Sequence, residues 1–147
     1  MNAMDQLDST ATETLVRFLA ARFNLGVPRI KITNHKANHG TYFNNLLRLS
    51  ADAELWVVVH EFAHHLDEEI NGGFYRARLY AQAATGKIQV RFRRPHTQAI
   101  LHGEGFYFGL RRVIEAAGCQ DYPWRAEYKN LSRWAERDGL IPKVETK

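Results

Sequence analysis

His60-Glu61-Phe62-Ala63-His64 places two imidazoles four residues apart, with a carboxylate directly after the first. On an α-helix, residues i and i+4 share one face about 6 Å apart, so both rings can address a single cation. Glu61 is turned by roughly 100° from His60. That sets its carboxylate beside the cation instead of on it, where a base for a metal-bound water belongs. The chemistry this predicts is zinc-dependent hydrolysis, most simply of peptide bonds. The chain holds seven histidines, so the pattern alone can arise by chance and its surroundings must decide.

A catalytic zinc site takes three protein ligands and leaves one position open. His102 leads the search for the third. It stands in Leu101-His102-Gly103-Glu104-Gly105-Phe106, just ahead of a helical pattern, and the adjoining glycine lets backbone pack closely around an ion. Neutral imidazole also suits zinc. Asp67 and Glu68 follow His64 by three and four residues and share its helix face; they read better as support for a ligand histidine or as an exposed last turn. Glu104 reads as a stabiliser of the first turn of its own helix. His65 points about 100° away from His64 and reads as a surface or supporting residue. His35, His39 and His96 lie in loops without ligand spacing.

The elements that must position these residues follow from periodicity. Apolar residues from Thr12 to Asn24 recur at helical spacing, with Thr10 or Thr12 as the expected cap and Asn24-Leu25-Gly26 before Pro28 as the stop. The first ten residues are polar and expected to fray. Arg29 to Thr33 alternates as a short strand, and Thr41 to Ser50 reads as a hairpin turning at Asn44-Asn45. Ser50 is the expected N-cap of the metal helix, with Asp52 and Glu54 in its first turn and Leu55, Val58, Val59, Phe62, Leu66 and Ile70 on its core side. Asn71-Gly72-Gly73 is the expected stop. Val57-Val58-Val59 is poor helix material, so such a helix is expected to be buried between layers. Further on, Phe74 to Ala84 reads as helix and Lys87 to Arg93 as an alternating strand. A helix ends at Ala117 before Gly118, and a single amphipathic helix runs from Trp124 to Arg137.

Composition sets the outer bounds. With 147 residues, an ordinary hydrophobic fraction and no linker or repeat, one domain is expected over 1–147. Cys119 stands alone, which excludes an internal disulfide and a cysteine-rich zinc ribbon. No apolar run approaches the ~20 residues of a membrane span, and the N-terminus lacks the pattern of a secretory signal. A cytoplasmic protein with no membrane partner is the simplest reading. The net charge of +4 is unevenly spread. Residues 72–101 form a basic insert with no acidic residue, carrying Arg76, Arg78, Lys87, Arg91, Arg93 and Arg94 among Phe74, Tyr75, Tyr80 and Phe92. Such a mixture suits phosphate contact and base stacking, and equally a solvated face with its aromatics turned inward.

His60-Glu61-Phe62-Ala63-His64 followed by His102-Gly103-Glu104-Gly105-Phe106 resembles the SprT-like (Spartan-type) zinc metallopeptidase domain. That family pairs His-Glu-x-x-His with a later His-Gly-x-x-aromatic that supplies the third ligand. The resemblance extends over residues 12–117, and small phage and bacterial metallohydrolases share the same outline. It implies an α+β minimal zincin: an N-terminal helix, a small, mostly antiparallel sheet, a central buried metal helix and C-terminal helices. It also implies Zn2+ on His60, His64 and His102, Glu61 as general base and acid, and, more weakly, action on DNA-associated proteins. The interval before His102 is longer than that family leads one to expect, and no cysteine-rich tail follows.

The expected mechanism has Glu61 activating a zinc-bound water for attack on a peptide carbonyl and returning the proton to the leaving amine. Tyr107 or Tyr75 is the expected donor to the developing oxyanion. Substrate would lie extended along the strand before the metal helix. Two alternatives stand beside this reading: a regulatory phage-type zincin that cleaves a specific repressor-like protein, and a nucleic-acid-binding module with a non-catalytic metal site.

Overall fold

The computed structural model describes residues 2–71, 84–86 and 101–144. The expected helix over 74–84, apart from Ala84, and the strand over 87–93, and with them the six cations of the basic insert, lie outside the described residues. So do His96, Tyr75 and the Gly72-Gly73 stop.

Helix α1 spans Ser9–Arg22 and buries Leu15, Val16, Leu19 and Ala20. Its cap is Asp8, whose carboxylate accepts from the Ala11 N–H at 2.7 Å, and not Thr10 or Thr12. Thr12 is instead buried on the core side. The residues ahead of the helix are not frayed. Ala3 and Leu7 are buried, and the Ala3 N–H donates to the Asp121 carboxylate at 3.0 Å. The physical reason lies in the metal helix, α2, which spans Leu55–Asn71. The first N–H groups of any helix lack partners within it. Here the Leu55 N–H donates to the Asp5 carbonyl at 2.8 Å and the Trp56 N–H to the Ala3 carbonyl at 3.0 Å. The N-terminal segment therefore caps α2, and the helix begins five residues beyond the expected Ser50 cap. Ser50 ends a strand, its Oγ accepting from the His39 N–H at 2.9 Å.

Strands β1 (Arg29–Thr33), β2 (Gly40–Phe43) and β3 (Leu46–Ser50) form one sheet in the order β1-β3-β2. β2 and β3 pair antiparallel through a two-residue turn in which Asn44 and Asn45 both take positive φ, 50° and 64°. That geometry matches strand twist, and asparagine tolerates it. β1 pairs with β3 in parallel, so the sheet is mixed and not mostly antiparallel. Leu47 and Leu49 of the central strand face the core.

Helix α2 packs against β2 and β3, against α1, and along α3 (Glu104–Ala117). This explains the valine run: Val57, Val58 and Val59 are all buried, so packing overrides their low helix propensity. Ile70, expected inside, is 58 % exposed near the end of α2. Gly118, with φ of 69°, closes α3 as expected. The last expected helix is broken. A 3-10 turn over Trp124–Ala126 is followed by α4, Lys129–Arg137, with Glu127 extended between them at φ −86° and ψ 174°. Among the described residues, no helix is long and apolar enough to cross a membrane. The whole is a small α+β fold.

Candidate metal centre

The sequence residues converge as follows. His60 and His64 project from one face of α2, and His102 approaches from the turn before α3. The Nε2 atom of His102 lies 3.2 Å from that of His60 and 3.1 Å from that of His64. Among the described residues these three form the group able to hold a metal ion, with ligand atoms all within 4.8 Å of one another. Phe106 lies among the three rings: it stacks on His64 at 4.3 Å and stands 5.2 Å from His60 and 5.1 Å from His102. An apolar wall of this kind keeps solvent from the ligands and lowers the local dielectric.

The donor set fits a cation. His60 Nδ1–H donates to Glu127 Oε1 at 2.7 Å, which leaves the lone pair of neutral His60 on Nε2. Burial, then the neighbouring His60 and His102, hold His64 well below the usual imidazole range, so it keeps its lone pair too. Three imidazole nitrogens brought this close repel unless protons or a cation lie between them. Three imidazoles, each neutral once it binds, are a characteristic donor set for zinc and related transition metals.

Glu61 is 9 % exposed, and its Oε1 lies 3.8 Å from His60 Nε2. It therefore stands beside the cluster without belonging to it. Burial raises its carboxyl to about 7; His60 opposes that rise and Glu127 adds to it. Space for this side chain depends on Gly40, at the start of β2. A Cβ there would lie 2.9 Å from Glu61 Cγ and 2.8 Å from Leu49 Cδ2. The sheet thus touches the Glu61 side of α2 through a residue without a side chain.

Other candidates separate from the site. His65 is buried, not superficial: its Nε2–H donates to the Gly26 carbonyl at 2.9 Å, and its Nδ1 accepts from the Tyr42 hydroxyl at 2.9 Å. Glu104 pairs with Arg137 at 2.7 Å. His35 and His39 are exposed, and Asp67 is buried outside the cluster. Tyr107 is wholly buried and donates to Asp138 at 2.8 Å, so it does not serve as the oxyanion donor. β3 is paired on both sides and offers no edge to a substrate; among the described residues β2 is a terminal strand of the sheet.

Four residues that touch the histidine cluster had no sequence signal. Glu127 and Tyr122 sit behind His60, and the Tyr128 ring lies 4.2 Å from that of His102. Asn130 Nδ2 donates to the His102 carbonyl at 2.6 Å. An unbroken helix over 124–137 would have assigned Glu127 to a solvated face. Pro123 was the one hint of a local break. Comparison of the chain with protein-family profiles, curated proteins and solved structures finds no match.

Proposed function

We propose that this chain is a zinc-dependent metallopeptidase, of the SprT-like kind that its two motifs resemble. One observation carries the reading: a buried carboxylate, Glu61, stands 3.8 Å from Nε2 of His60, within a cluster of three imidazoles that suits a metal ion. A purely structural metal site has no use for a base in that position. His60, His64 and His102 would hold the ion. When bound, zinc supplies Lewis acidity, lowering the pKa of water and polarising a carbonyl.

The chain's own groups do the proton work. Glu61 takes the proton of the attacking water and delivers it to the leaving amine nitrogen, the bond to the carbonyl carbon breaking as that nitrogen is protonated. Its burial favours this role, because a carboxyl with a raised pKa both accepts and returns a proton near neutrality. An extended peptide would add to the β2 edge, whose Gly40 lies against Glu61. Tyr128, half-exposed over His102, takes the place of Tyr107 as the donor facing the developing oxyanion. DNA-associated proteins are the substrate class that the resemblance and the basic residues from Arg76 to Arg94 suggest; DNA binding that weakens steeply with salt would support it.

The test is elemental analysis of the purified protein, followed by casein and self-cleavage assays with and without chelator. About one zinc per chain and chelator-sensitive cleavage are expected. Glu61→Gln should keep the metal and lose roughly 10²–10⁴-fold in turnover. Near-normal turnover in that variant overturns the mechanism, and a metal-free wild-type protein overturns the site.

A further inference from the structure

The segment from Tyr122 to Asn130 lies beyond both sequence motifs, yet it touches two of the three histidines. Glu127 is the centre of that contact. Its side chain is 4 % exposed, and its Oε1 accepts from His60 Nδ1–H at 2.7 Å. The Tyr122 hydroxyl, itself buried, donates to the same oxygen and lies 3.4 Å from His60 Nδ1. A carboxylate taken out of water is costly unless its charge is compensated. Here the compensation lies across a ring: Glu127 on one nitrogen of His60, and on the other the cluster that suits a cation. The backbone is bent to allow it. Glu127 is extended where the amphipathic pattern would continue a helix, and the break aims its side chain at α2. Asn130 and Tyr128 then secure His102 from the same segment.

We propose that Glu127 is a positioning residue of the metal centre. It fixes His60 as the Nδ1–H tautomer with Nε2 turned to the ion, and Tyr122 holds the carboxylate in line. The role rests on the metal-centre reading above and extends it to a residue outside the motifs. A carboxylate behind a ligand histidine orients the ring, raises its basicity, and typically changes metal affinity 10–100-fold.

Competition with a chromophoric chelator would measure zinc affinity in the full chain and in Glu127→Gln, Glu127→Ala and Tyr122→Phe. Cobalt(II) loading would report ligand geometry through its visible absorption. Glu127→Ala should weaken zinc about 10–100-fold and alter the cobalt spectrum. Glu127→Gln keeps an acceptor for Nδ1–H but loses the charge. It should restore the wild-type cobalt spectrum with a smaller, severalfold loss of affinity, a rescue that a merely space-filling role would not give. Tyr122→Phe should lie between the wild type and Glu127→Gln in affinity. Should Glu127→Ala fail to fold, Glu127→Gln still decides. Affinity within about twofold of wild type in every variant that folds, with unchanged cobalt spectra, overturns the positioning role and leaves the metal centre standing. Failure of the wild-type chain to bind zinc or cobalt overturns the metal centre itself, and this role with it.

Discussion

At the scale of single residues, direction alone would separate ligation from the proton transfer proposed above. His60 and His64 share a face of α2, whereas Glu61 leaves the helix one residue on and reaches the cluster from the side of β2. The third ligand is testable against its nearest rival. His102→Ala should reduce bound zinc to a small fraction of stoichiometric, while Asp67→Ala retains it, because Asp67 is buried outside the cluster. Elemental analysis of the two variants checks this, and the reverse result would make Asp67, not His102, the third ligand. Tyr128→Phe removes the hydroxyl while keeping the ring against His102. A loss of turnover by roughly 10²–10³-fold with zinc content unchanged, read as kcat at saturating substrate, would support its facing the oxyanion; the order of magnitude is that of one oxyanion-hole donor.

Among the elements, the hairpin and the metal helix are coupled through one glycine. Gly40→Ala would bring a methyl within 2.8 Å of Leu49 Cδ2 and 2.9 Å of Glu61 Cγ. Overpacking of this kind costs about 1–3 kcal/mol. Denaturant unfolding should show that loss, and cleavage should fall further than stability because Glu61 is pushed aside while the three histidines are untouched. The turn itself is a milder case. Asn45→Ala keeps a Cβ at φ of 64° but loses the short polar side chain that makes this left-handed conformation tolerable, and should cost about 1 kcal/mol, with metal content unchanged. Both elements were legible in the sequence: Asn44-Asn45 between apolar runs marks a hairpin, and the apolar stripe from Leu55 to Leu66 marks a buried helix. The start of α2 was not legible, because its caps are the carbonyls of Ala3 and Asp5, some fifty positions upstream. Local rules pointed to Ser50; a distant segment had already met the need.

Across the whole molecule, a bound ion would join α2, the turn before α3 and, through Glu127, the segment that leads into α4. An ion that binds only the folded chain stabilises it by about 4 kcal/mol at a thousandfold excess over Kd. For a chain of this size, that corresponds to a rise in Tm on the order of 10 °C. Chelation should reverse the rise in the wild type and have no further effect on His102→Ala. Thermal unfolding with and without chelator measures both.

The sequence by itself determined the α+β class and most element positions. It also singled out His60, His64 and His102, since side-chain periodicity and ligand spacing are local properties of the chain. The tertiary structure decided which side chains finish the centre. Glu127 reaches His60 from 67 positions away, and it does so because the final helix breaks where its own pattern would have continued. The parallel pairing of β1 with β3, which among the described residues puts β3 at the centre of the sheet and β2 beside Glu61 at its margin, was settled there as well. Contacts of this kind depend on which distant surfaces pack together, and no spacing along the chain encodes them.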